Sequence, residues 1–135
     1  MTFRFVHEET TRWVDVDAMG VVNNSVYLTM FEQARFAYFA RLGLLRGAGF
    51  PFVLGETTVR FERPLGAGRT VVVGARTTRL GGKSFDMDYE IRDGGMVVAT
   101  GRATLVCVDE QLRSMTIPDP FRDAVATFEG IARRG

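Results

Sequence analysis

"DVDAMGVVNNSVYLTMFEQARFAYF", Asp15 to Phe39, sets two carboxylates ahead of a glycine, a pair of asparagines and a long run without Gly or Pro. That run continues to about Leu42, roughly five turns at 3.6 residues per turn. Asn23 or Asn24 suits the capping of its first exposed N–H groups, and Gly43 suits its end. Tyr27, Met30, Phe31, Ala34, Ala37 and Tyr38 make one apolar stripe. Leu28, Phe36, Phe39 and Ala40 carry the apolar surface onto other faces, so the helix is expected to be largely enclosed.

What encloses it is expected to be sheet. In "SFDMDYEIRDGG", Phe85, Met87, Tyr89 and Ile91 alternate with Asp86, Asp88, Glu90 and Arg92. "RDGGM" supplies a turn and "MVVATGRATLVCVD" resumes as a strand, so residues 84–109 read as one hairpin. "TTVRFERP" and "TVVVGARTTRL" read as two further strands, with Pro64 and "GAG" between them. Residues 2–14 read as a first strand, 15–23 as a loop, and a short last helix begins near Asp119 and packs Phe121, Val125 and Phe128. One strand, one long helix and four strands give an α+β domain spanning 1–135: a five-stranded antiparallel sheet wrapped round one central helix, with a short C-terminal helix. Edge strands invite pairing, and a dimer with a continuous sheet answers that.

Composition narrows the function. The 135 residues suffice for one domain with a core. Seventeen basic against sixteen acidic side chains leave a net charge of +1, no basis for a nucleic-acid or anionic-membrane partner. No apolar run approaches the ~18 residues of a membrane helix, and the N-terminus lacks a signal-peptide pattern. The single cysteine, Cys107, sits in "ATLVCV" and reads as a buried strand residue of a reducing compartment. A cytoplasmic protein is the expectation.

Metal chemistry lacks its ligands: His7 is the lone histidine, and Cys107 lies in a different strand. The same scarcity argues against Ser–His–Asp or Cys–His catalysis. "RLGGKS" joins two strands and feeds no helix, so it reads as a hairpin turn, with Lys83 placed to touch an anionic tail of a ligand. Carboxylates remain. In an extended segment Asp15 and Asp17 point the same way, ahead of the N–H groups and positive dipole end of the helix. Either an aspartate caps those groups, or the groups hold a substrate carbonyl that the carboxylate attacks or hydrates.

"RWVDVDAMGVVNNSVYLTMFEQAR" resembles the signature of the hotdog-fold thioesterases, in particular the 4-hydroxybenzoyl-CoA thioesterase-like branch. The matching positions are Asp15, Asp17, Gly20, Val22, Tyr27, Glu32, Ala34 and Arg35, and the resemblance runs on through most of the chain. It implies a hotdog fold and metal-free, cofactor-free hydrolysis of an acyl-CoA thioester by a homodimer or homotetramer with sites at the dimer interface. It makes Asp17 the nucleophile or general base and puts the oxyanion donor at about Asn24. Gly20, Val22, Asn23, Tyr27, Glu32, Lys83 and Ser84 are the expected substrate-side residues. Of these, Glu32 has a pairing with Arg35 as its plainer role, Tyr27 core packing with a bonded hydroxyl, and Ser84 a contact to substrate in a neighbouring subunit.

Two departures matter. Many relatives carry a His in place of Val21 or Asn24, and some a Tyr in place of Trp13. Asn24 can hydrogen-bond but cannot titrate as His does, so a mechanism that needs an imidazole is excluded. The rival on the same fold, a hydroxyacyl thioester dehydratase, needs that His. The rival from another class is a non-catalytic acyl-CoA-binding hotdog protein.

Overall fold

The computed structural model describes residues 3–45 and 51–135. β1 (Phe5–Thr10), β2 (Phe52–Phe61), β3 (Thr70–Leu80), β4 (Ser84–Asp93) and β5 (Met96–Cys107) form one antiparallel sheet in the order β1-β3-β4-β5-β2. α1 (Asn24–Arg41) lies on one face, and α2 (Asp119–Glu129) follows the last strand. β4 shows the cause most plainly. Phe85, Met87, Tyr89 and Ile91 are buried against the helix, while Asp86, Asp88, Glu90 and Arg92 line the other face. Even there Asp88 is buried, because Arg76 Nη2 and Arg102 Nε both donate to it at 3.2 Å.

Three expectations are corrected. The first strand stops at Thr10, where Thr11 turns the chain by donating to the Gly66 carbonyl (2.7 Å) and accepting from the Arg69 N–H (2.9 Å). β2 starts at Phe52, ahead of "TTVRFERP"; its alternation was hidden by an irregularity between Leu54 and Glu56 that shifts the register with β5. α1 is enclosed on one side only. Tyr27, Phe31, Ala34, Tyr38 and Phe39 are buried, whereas Leu28 (40% exposed) and Phe36 (38%) face outward.

The helix sits close to the sheet because Gly101 lets it. A Cβ there would come within 2.5 Å of Phe31 Cε2, and Phe31 stacks on Tyr89 with ring centroids 4.9 Å apart. Toward its C-terminal end, Phe39 packs with Phe52, Phe85 and Phe121. α1 begins and ends as its sequence dictates, with the Asn23 side chain accepting from the Ser25 N–H and Gly43 in the left-handed region at φ +71°. The long helix is thus fixed at both ends and along one face, and this holds the loop before it.

Candidate active site

Between Thr10 and α1 the chain makes a 3₁₀ turn at Trp13–Asp15. This overturns the shared direction of Asp15 and Asp17. Residues two apart share a face in a strand, but Asp15 closes the 3₁₀ turn and Asp17 lies beyond it, so no single strand carries both. Asp15 goes inward, 7% exposed, and Asp17 stays at the surface.

Asp15 orders the loop. It accepts from the Arg12 backbone N–H (2.8 Å) and from Arg12 Nη2 (2.9 Å), and its carbonyl accepts from the Asn23 N–H (2.8 Å). The hydrogen-bonded Arg12 guanidinium holds this carboxyl below its ordinary value, against the opposing effect of burial. Since the folded group ionises below the unfolded value of about 3.9, the stability it contributes is complete above that value. It is lost as the pH falls through the folded one. Asp15→Asn is expected to destabilise the protein near neutrality and to flatten the acid limb between about pH 5 and pH 2. Urea melts across that range read this directly; an unchanged acid slope would remove Asp15 from the account.

Asp17 uses one oxygen and leaves the other open. Oδ1 accepts from the Met19 N–H (2.8 Å) and the Val21 N–H (3.2 Å). The Asp17 N–H donates to the Val21 carbonyl (2.9 Å), a Val16–Val22 bridge closes the loop, and Gly20 takes φ +76°. Oδ2 has no hydrogen-bond partner among the described residues. A second turn repeats this pattern. Asp109 Oδ1 accepts from the Gln111 N–H (2.9 Å) and the Arg113 N–H (3.0 Å), a Val108–Ser114 bridge closes it, and Leu112 takes φ +62°. Loop bonding therefore explains an aspartate in either turn, and what sets Asp17 apart is the helix that its own turn leads into and its open Oδ2, where Asp109 Oδ2 lies 3.5 Å from Arg113 Nε.

At that helix start, the Ser25 N–H goes to Asn23 Oδ1 (3.2 Å) and the Val26 N–H to the Asn23 carbonyl (2.9 Å). The Asn24 N–H is left without an acceptor among the described residues. Neither aspartate caps α1. The exposed carboxylate oxygen and the open N–H belong to one short segment; a carboxylate of this kind has the chemistry of a base or nucleophile, and an unshared N–H that of a donor to a carbonyl oxygen.

The other expected residues divide. Gly20 and Asn23 shape the loop and cap the helix, and Val22 is buried with its N–H on the Leu65 carbonyl (2.7 Å). Tyr27 packs edge-on against Phe61, ring centroids 5.0 Å apart, and burial raises its hydroxyl above the ordinary value. Its expected hydroxyl partner does not exist among the described residues. Glu32 stands two turns along α1, exposed, with Oε2 3.9 Å from Arg35 Nη2. Lys83 and Ser84 are not brought to this site within one chain. They lie past the far end of β3, whose eleven residues at about 3.3 Å each put them on the order of 30 Å away.

Two groups were missed in the sequence. Trp13 (83% exposed) and Met19 (84%) are large apolar side chains left open to solvent in the segment that carries Asp17, which reading Trp13 as strand concealed. Arg35 is buried; its signal was present, since it falls at i+4 from Phe31 and three residues before Tyr38 on the inward stripe.

The family model of the thioesterase-like superfamily matches residues 11–125. A 1,4-dihydroxy-2-naphthoyl-CoA hydrolase of Synechococcus elongatus is 27% identical over 125 residues, 86% of this chain and 90% of that protein. A thioesterase of Thermus thermophilus, crystallised with coenzyme A and zinc, is 32% identical with a TM-score of 0.87, covering 96% of this chain and 98% of the other. A predicted thioesterase of Bacillus stearothermophilus superposes with a TM-score of 0.85 at 26% identity, covering 97% and 98%. Among the described residues of this chain, no group of three or more His, Cys, Asp and Glu side chains could hold a metal ion.

Proposed function

The chain belongs to the thioesterase-like superfamily, hotdog-fold thioester hydrolases, and from that premise we propose that it hydrolyses an acyl-CoA at Asp17. The carrying observation is Asp17 itself: one oxygen is fixed by two backbone N–H groups and the other is open, in the turn that leads into a helix whose first N–H is unshared. The thioester carbonyl accepts from the Asn24 N–H, which is worth most when charge builds on that oxygen. Asp17 attacks the carbonyl carbon or takes a proton from the water that does. The tetrahedral intermediate collapses with loss of the CoA thiolate, giving the acid directly when water attacks, or an acyl–Asp17 anhydride that a water then hydrolyses when Asp17 attacks; in either route water supplies the oxygen and protons of the free acid and free thiol. A thiol ionises near 8.5, so it leaves without a strong acid beside it. The loop needs no imidazole for this; His7 is in β1, bonded to Glu9 at 3.0 Å.

A homodimer is part of the same reading. β2 is an edge strand of ten residues with Val53, Leu54 and Phe61 exposed, an edge with every reason to pair. Antiparallel pairing of two β2 strands reverses their direction, so the Phe61 end of one chain meets the Phe52 end of the other. Ser84 is level with Val106 and so with Val53, while the Asp17 loop lies at the Phe61 end, where Tyr27 meets Phe61. Such a dimer carries the Lys83–Ser84 turn of a second copy toward Asp17, where an ammonium and a hydroxyl suit the phosphates and amides of coenzyme A. A cytoplasmic location completes the proposal; among the described residues no helix is long and apolar enough to cross a membrane.

The test is free-thiol release from short, medium and long acyl-CoAs and from aroyl-CoAs, the last chosen because of the Synechococcus relative. Turnover of at least one class is expected. Tight binding without turnover would leave an acyl-CoA-binding protein instead.

A further inference from the structure

Arg122 of α2 is 5% exposed, and its guanidinium bonds backbone carbonyls rather than a carboxylate. Nη1 donates to the Arg133 carbonyl (2.5 Å) and Nη2 to the Gly82 carbonyl (3.2 Å), which also accepts from the Ile117 N–H (2.9 Å). One buried side chain thus ties the chain beyond α2 to the turn between β3 and β4. Chain beyond the last packed helix of a domain is usually poorly ordered. Here it is held further: Gly130 turns it at φ +67°, the Gly135 N–H donates to the Leu80 carbonyl (2.9 Å), and Arg79 Nη1 donates to the Gly135 carbonyl (3.4 Å).

What this docking brings to the turn is Arg134. Its Nη2 lies 3.1 Å from where a Cβ on Gly82 would stand. Gly82 does not take a left-handed φ, so its missing side chain serves the approach of the guanidinium rather than the bend of the backbone. Lys83, exposed, is the next residue. Neighbouring arginines are paired, Arg79 Nε with Asp86 at 2.8 Å and Arg133 Nε with Asp123 at 2.5 Å. Arg134 and Lys83 have no acidic partner among the described residues. Arg122, bonded to carbonyls, adds a third cation that no ion pair there offsets. The corner therefore keeps an excess of positive charge, which draws an anion to it.

We propose that residues 130–135 are a working part of the substrate site: Arg134 joins Lys83 in binding the 3′-phosphate of coenzyme A, and Arg122 is the positioning residue that holds the two segments together. This rests on the acyl-CoA reading above, in which the Lys83–Ser84 turn serves the Asp17 of a second copy. A phosphate monoester carries a charge of about −1.5 to −2 near neutrality, which two open cations match. The guanidinium supplies a planar fork to its oxygens and the ammonium a point charge. Arg122 touches no phosphate and acts through the Gly82 and Arg133 carbonyls.

The test is calorimetric binding of coenzyme A and of 3′-dephospho-coenzyme A, with acyl-CoA turnover measured on the same proteins. Wild type is expected to bind coenzyme A about tenfold more tightly, an advantage that shrinks as salt is raised. Arg134→Gln and Lys83→Gln should each cut that ratio to about threefold and raise KM more than they lower kcat. Arg134→Lys, which keeps the charge, should retain most of the ratio. Arg122→Met should lose it although its side chain is remote from the ligand; Arg122→Lys serves if that variant does not fold, and should give a ratio of about threefold to tenfold. Equal affinity of wild type for the two ligands, or a ratio that survives Arg134→Gln, overturns the phosphate site and leaves the thioesterase standing. A ratio that follows Arg134 without any turnover supports the phosphate site and removes the hydrolytic reading. Wild type that neither binds coenzyme A nor turns over an acyl-CoA overturns both.

Discussion

Replacing Asp17 by asparagine is expected to lower kcat at least about a hundredfold, roughly 2.7 kcal/mol of barrier. The substitution separates chemistry from structure. An asparagine carbonyl still accepts from the Met19 and Val21 N–H groups, so the turn keeps its two side-chain hydrogen bonds. The negative charge is lost, and with it both the nucleophile and the base. KM should move little, because the open oxygen meets the reacting carbon in the transition state more than the bound substrate. A variant with near-normal kcat would leave Asp17 as a loop residue and turn attention to Glu32.

The second large effect is predicted for a backbone atom. Asn24 is the first residue of α1, the helix position where proline is most at home, because its φ fits and the N–H has no partner in the helix. The preceding Asn23 has φ −62° and ψ 141°, which suits a residue before proline. Asn24→Pro therefore removes the proposed oxyanion donor with little strain, and its stability should stay within about 0.5 kcal/mol of wild type. Loss of one such donor typically lowers kcat by about 10²- to 10³-fold. Asn24→Ala, which keeps the N–H, should retain most activity. If proline and alanine behave alike, the carbonyl is held elsewhere.

The elements that could be read from the sequence are those where one period governs. β4 alternates over eight residues because it is buried on one face and charged on the other, and α1 runs unbroken from its asparagine cap to Gly43. Reading failed where backbone geometry departs from a period. The register shift near Gly55 concealed the start of β2, and the 3₁₀ turn at Trp13–Asp15 sent the two aspartates in different directions. Composition made α1 look largely enclosed, though Leu28 and Phe36 are exposed. The resemblance marked Asp17 and Asn24 but not the Asp109 turn, whose hydrogen bonds match those of Asp17 although its sequence differs. Spacing along the chain also could not place Lys83 and Ser84, which lie past the opposite end of β3 from the Asp17 loop.

The matched turns provide the most direct measurement: free-thiol release and thermal unfolding of Asp17→Asn and Asp109→Asn side by side, with the best acyl-CoA. Both substitutions preserve the same two backbone hydrogen bonds in the same kind of turn, and Asp109→Asn also removes the charge that faces Arg113 Nε at 3.5 Å, so its melting temperature should fall at least as far as that of Asp17→Asn. The account predicts that only Asp17→Asn loses at least about a hundredfold in turnover, while Asp109→Asn stays near wild type. Equal activity in the two variants would contradict it, and Asp17 would then be what Asp109 is, the anchor of a turn.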